Sequence, residues 1–228
     1  MATPTVAQRA CAEALGTGFL TAAVIGSGIA ATRLSPDDIG LQLLQNSVAT
    51  GAVLMALILA FGSISAAFNP VVTLLEVALG SVGRREAVAL VTAQVAGAVL
   101  GAAVANLMFG LDAVSVSVKP RDADGVLLAE VVATIGLLVV IFGPLRSGRT
   151  SHVAFAVGGY ISAAYWFTSS TSFANPALTV ARMLSDTFAG IAPSAVPGFV
   201  IAQLLGTLIA AGVITFLWPT RARIEETV

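Results

Sequence analysis

Three observations predict an all-α membrane protein with six spanning helices, two re-entrant half-helices and an inverted repeat. The chain of 228 residues is 57% hydrophobic and only 10% charged, with a mean hydropathy of +0.95. A soluble domain carries about a quarter charged residues. The apolar residues gather in six runs, near 8–31, 42–63, 86–109, 126–145, 151–169 and 196–218; roughly 20 mainly apolar residues suffice to span. Two shorter runs, near 69–80 and 175–185, each open on Asn-Pro.

The first run carries Cys11, Glu13 and several glycines. It reads as a mature spanning helix rather than a cleavable leader. Cys11 is the only cysteine and is expected to be a small buried hydrophobe. The two short runs hold about ten residues each. At 1.5 Å per residue they reach about 15 Å, half of a hydrocarbon core about 30 Å thick. Pro70 and Pro176 suit the first helical position, where the missing N–H costs nothing. The aromatic stretch 164–167 reads equally as an interfacial belt or as core. In a six-span arrangement Arg9, Arg84, Arg85, Arg146, Arg149, Arg221 and Arg223 share one side. Arg33, Lys119, Arg121 and Arg182 take the other. That asymmetry makes the first side cytoplasmic, with both termini there.

Three patterns occur twice in the same order. AEALGT (12–17) pairs with AEVVAT (129–134), NPVVT (69–73) with NPALT (175–179), and AQVAG (93–97) with AQLLG (202–206). The repeats cover about 8–110 and 126–218, joined by a loop over 111–125 within one transmembrane domain. An odd number of spans per repeat turns the second copy upside down, a plan found in transport proteins. The half-helices then enter from opposite faces and meet near the midplane. Irregular backbone is tolerated at that depth only if it is buried or lines a polar cavity. Asn69 and Asn175 should therefore face a shared pathway, where their amides donate hydrogen bonds and two helix dipoles oppose cations.

These motifs resemble the aquaporin, or major intrinsic protein, family. The resemblance covers nearly the whole chain and implies a homotetramer with one pore per subunit in the cell membrane. It implies that Asn69 and Asn175 are pore asparagines and that Glu13 and Glu130 brace the re-entrant loops. The sequence departs from the family pattern in three places. Val71 stands where alanine is usual. The loop 63–70 is one residue short and lacks a frequent histidine. Leu178 occupies the position of the usual filter arginine. Counting from the motifs, the other filter positions fall on Thr50, Ala163 and Ser172. Such a filter is wider and less polar than that of water-selective members. It suits small uncharged solutes such as glycerol-like polyols, water and metalloid hydroxides, including arsenite and methylated arsenicals, as in relatives linked to metalloid or polyol transport.

Arg182 and Glu76 each lie seven residues after an Asn-Pro asparagine, on the same helix face. They read equally as outer and inner vestibule groups or as surface ion pairs, Arg182 with Asp186 and Glu76 with Arg84 or Arg85. A proton-coupled carrier using Glu13 or Glu130 is the rival function, since a buried membrane carboxylate is a functional candidate. An intramembrane enzyme lacks parts: the chain has one His and one Cys, with no HExxH. No cofactor or metal site is expected, and a net charge of −1 offers no basic surface for nucleic acid.

Overall fold

The computed structural model describes residues 3–219; Arg221 and Arg223 lie outside them. Eight α-helices run in the order α1 (Val6–Leu34), α2 (Ile39–Phe61), α3 (Pro70–Ala78), α4 (Arg84–Met108), α5 (Val126–Arg146), α6 (Val153–Phe167), α7 (Pro176–Arg182) and α8 (Val196–Leu217). Five are long and apolar enough to cross a bilayer. The sixth crossing, α6, has 15 residues, about 22 Å. A 3₁₀ turn over Thr150–His152 precedes it, and a non-helical segment from Thr168 leads on to α7. The half-helices α3 and α7 have 9 and 7 residues. Below, the near side is where α1 begins and α8 ends, and the far side is opposite.

Large apolar side chains point outward, among them Phe216 at 83% and Leu208 at 72% exposure, as a lipid-facing surface requires. Cys11 is also exposed, against the expectation of burial. In a membrane protein an apolar side chain faces lipid as readily as core. His152 is exposed at the start of α6.

Glycine lets the helices that frame the half-helices touch. A Cβ on Gly97 of α4 would lie 2.1 Å from the Ala14 carbonyl oxygen of α1, and one on Gly101 would lie 2.2 Å from that of Gly18. In the second half, a Cβ on Gly206 of α8 would lie 2.9 Å from the Val131 carbonyl oxygen of α5. Small residues at such crossings are the usual means of close helix approach in membranes.

This approach carries a polar network into the apolar interior. Glu13 is fully buried. Its Oε1 accepts from Ser65 Oγ and from Ala67 N–H at 2.9 Å, and its Oε2 from Phe68 N–H at 2.7 Å and Gln94 Nε2 at 2.8 Å. Gln94 Nε2 also donates to Thr73 Oγ1 of α3 at 2.9 Å. Glu130 repeats the arrangement. It accepts from Phe173 N–H at 2.8 Å, Ala174 N–H at 2.9 Å and Gln203 Nε2 at 2.7 Å, and Gln203 donates to Thr179 Oγ1 of α7 at 2.9 Å. Each repeated motif thus contributes one member: the glutamate, the half-helix threonine, and the glutamine with its glycine.

Bonds to an ionised acceptor contribute roughly 1.5–3 kcal/mol each. In Glu130→Gln one acceptor oxygen becomes an NH₂ facing N–H donors. The unfolding midpoint in detergent should fall by about 4–8 °C, for a loss of roughly 2 kcal/mol. An unchanged midpoint would show that the carboxylate braces nothing.

Candidate functional site: a continuous cavity through the midplane

Asn-Pro does two local jobs at each half-helix. Proline occupies the first helical position, and the asparagine caps the helix. Asn69 Oδ1 accepts from Val71 N–H at 3.1 Å, and Asn175 Oδ1 from Ala177 N–H at 3.0 Å and Leu178 N–H at 3.3 Å. The preceding residues, Phe68 and Ala174, have φ of 48° and 45°. Non-glycine residues there are strained by about 1–3 kcal/mol. The bonds from their own N–H groups to Glu13 and Glu130 hold them in that conformation.

The two tips are joined reciprocally. Asn69 Nδ2 donates to the Ala174 carbonyl at 2.7 Å, and Asn175 Nδ2 to the Phe68 carbonyl at 2.8 Å. An amide nitrogen carries two N–H groups, so each asparagine retains one beyond that bond. Both asparagines line a cavity of about 420 Å³. It runs from Arg9, Leu145 and Thr150 on the near side to Tyr165 and Arg182 toward the far side. Much of the wall is apolar, including Leu20, Val24, Leu54, Val72, Leu137 and Leu178. A solute oxygen would thus meet the asparagine N–H donors opposite a hydrocarbon wall.

Thr50, Ser172 and Leu178 line the cavity on the far side of the asparagines. Ala163 does not: it is exposed on the outer face of α6. The helix turns Val153, Val157, Ile161 and Tyr165 inward instead, at the four-residue spacing of one helix face. Counting from the motifs placed this position two residues before Tyr165, the residue of α6 that lines the cavity. The intervening loop holds Thr171, Ser172 and Ala174 at positive φ, so its length along the pore is not readable from residue number. The four-residue series was the signal that finds Tyr165. Tyr165 Oη lies 3.2 Å from Thr50 Oγ1, placing an aromatic ring and a hydroxyl where a small side chain was expected.

Arg182 is 2% exposed and lines the same cavity. Its guanidinium carbon lies 3.4 Å from the centre of the Phe173 ring, and its Nε donates to the Ala189 carbonyl. Helical side chains tilt toward the N-terminus. Arg182 therefore leans back from the end of α7 onto Phe173 at the far end of the cavity. The pairing with Asp186 is not made: Asp186 accepts from Val118 N–H at 3.0 Å and Ser117 Oγ at 3.4 Å. Glu76 also lines the cavity, at its near end. Among the described residues it pairs with neither Arg84 nor Arg85, and the near-side ion pair joins Arg9 to Glu86. Among the described residues no cluster of His, Cys, Asp and Glu could hold a metal ion.

Comparison with known proteins agrees with this architecture. The family model described as major intrinsic protein matches residues 1–168. The chain is 49% identical over 222 residues to aquaglyceroporin AqpS of Rhizobium meliloti (strain 1021), covering 96% of this chain and 94% of that protein. It is 32% identical to the probable aquaporin AqpM of Archaeoglobus fulgidus, over 94% of this chain and 98% of that one. The X-ray structure of the aquaglyceroporin from Plasmodium falciparum superposes with a TM-score of 0.71 at 18% identity, covering 91% of this chain and 95% of that one. The chain belongs to the major intrinsic protein family.

Proposed function

We propose that the protein is a passive channel for small uncharged solutes, with water, glycerol-like polyols and metalloid hydroxides such as arsenite or methylated arsenicals as its candidate cargo. One observation carries this reading: two half-helix caps, Asn69 and Asn175, are joined tip to tip and both line one continuous cavity. The facing half-helix N-termini, started by Pro70 and Pro176, disfavour cations at that point. The kinship with proteins named aquaglyceroporins supports glycerol and water as solutes.

Thr50, Tyr165, Ser172 and Leu178 form the filter in this reading. Arg182 stands at its far edge and Glu76 guards the near vestibule. Tyr165 and Arg182 make the filter tighter and more polar than one of Thr50, Ala163, Ser172 and Leu178. The protein works as a homotetramer in the cell membrane with both termini cytoplasmic. It is one channel domain of two inverted repeats, about 8–110 and 126–218, with loop 111–125 between them. Proton coupling through Glu13 or Glu130 is disfavoured, because both carboxylates accept from backbone and glutamine donors that a travelling proton would displace.

Stopped-flow light scattering on proteoliposomes tests the reading. Glycerol flux should follow its own gradient and stay constant when a proton gradient is imposed. Asn175→Leu should reduce flux to that of protein-free liposomes while the protein remains folded and inserted. Unchanged flux in a correctly inserted Asn175→Leu protein would remove the pore assignment. Leu178→Arg adds bulk and five N–H donors next to Arg182. Glycerol flux should fall by about tenfold, a barrier higher by about 1.4 kcal/mol, with water flux retained in part. Wild-type selectivity in Leu178→Arg would exclude Leu178 from the filter.

A further inference from the structure

The far mouth gathers three cations, Lys119, Arg121 and Arg182, which form no ion pair among the described residues. The loop after α4 crosses this mouth, with Ser115 and Ser117 N–H donating to the Leu184 and Met183 carbonyls, and Lys119 C=O accepting from Ala192 N–H. It delivers two cations beside Arg182. Lys119 Nζ donates to the Phe188 carbonyl at 2.7 Å and lies 4.7 Å from the Phe188 ring centre. Arg121 Nε donates to the Gly190 carbonyl at 2.8 Å, and its guanidinium lies 4.7 Å from the Phe173 ring, which Arg182 also covers. All of these partners are neutral. The two carboxylates that act electrostatically on these cations are engaged elsewhere: Asp186 by Val118 N–H and Ser117 Oγ, and Glu130 by three N–H donors behind the wall. Burial first, then the nearby Arg121 and Arg182, lower the Lys119 pKa to about 8, against a smaller opposing pull from Asp186.

Two groups at this point lack partners. Ser172 is 3% exposed, lines the cavity, and its Oγ makes no hydrogen bond. Arg182 donates from Nε, and among the described residues its two terminal nitrogens make no hydrogen bond. Ser172 is the chain neighbour of Phe173, on whose ring the Arg182 guanidinium sits. Donors without acceptors, beside the two guanidinium groups stacked on Phe173, suit an oxyanion.

We propose that the far end of the cavity binds a small soluble monoanion of carboxylate type, held by the terminal nitrogens of Arg182 and the hydroxyl of Ser172, with Arg121 and Lys119 drawing it in. This deepens the channel reading, since the site sits in the same pathway: the anionic form of a weak acid would be captured at the mouth. At that depth, below the loop over the mouth, a lipid headgroup does not reach.

The test compares acetate with acetamide, which have nearly the same shape but differ in charge. Binding to the full-length protein in detergent is read by saturation-transfer NMR, with ionic strength held constant by sodium chloride. Because no flux is measured, the result stands whether or not the protein conducts glycerol. Acetate should bind saturably and acetamide should not. Arg182→Gln should weaken acetate binding at least about tenfold, the effect of losing a charge-assisted bond. Ser172→Ala should weaken it several-fold, and decides the matter if Arg182→Gln does not fold. Equal binding of acetate and acetamide, no acetate binding over chloride, or acetate binding unchanged in the folded variants would overturn the proposal.

Discussion

The architecture depends on two buried carboxylates that accept backbone N–H groups. A chain that stops being helical inside a bilayer must satisfy its own peptide groups, because neither lipid nor a packed apolar neighbour will. Residues 65–69 and 171–175 are such stretches. Glu13 takes the N–H groups of Ala67 and Phe68, and Glu130 those of Phe173 and Ala174. A carboxylate serves because it accepts at both oxygens and donates at neither. Glutamine at 94 and 203 supplies the remaining donor and ties each carboxylate to the half-helix threonine. The glycine crossings bring α1 to α4 and α5 to α8 closely enough for these side chains to meet.

The pore chemistry follows from that support. Phe68 and Ala174 are held in a left-handed conformation, which turns their carbonyls toward the opposite asparagine. Each asparagine then caps its own helix through oxygen and joins the other half through nitrogen. The two halves are therefore one device. The apolar wall opposite the asparagines leaves few hydrogen-bonding partners along the cavity, and beyond them Tyr165, Ser172, Leu178 and Arg182 line its far end.

Much of this was legible in the sequence because it rests on local signals. Hydropathy marks the spans, Asn-Pro in an apolar run marks a half-helix, and the twofold occurrence of AExxxT, NPxxT and AQxxG identifies members of one network. What was misread depends on tertiary geometry. Ala163 was chosen by counting through a loop with several positive φ values, whereas the four-residue face of α6 ends on Tyr165. For Arg182 spacing left a vestibule group and a surface pair with Asp186 equally open; its stacking on Phe173 at the far end of the cavity is a contact between segments that no spacing rule describes. Cys11 was expected inside because hydrophobicity reports burial in water, and in a membrane it reports lipid equally well.

The central claim is that the two re-entrant loops form a single mechanical unit, and hydrogen–deuterium exchange measured peptide by peptide tests it most directly. In wild-type protein the amides within 65–69 and 171–175 should be protected to the level of α1 and α5. In Glu13→Gln, exchange should rise in both segments, because loosening Phe68 frees the carbonyl that Asn175 holds. A rise confined to 65–69, with 171–175 exchanging as in wild type, would contradict the account and leave two independent half-helices.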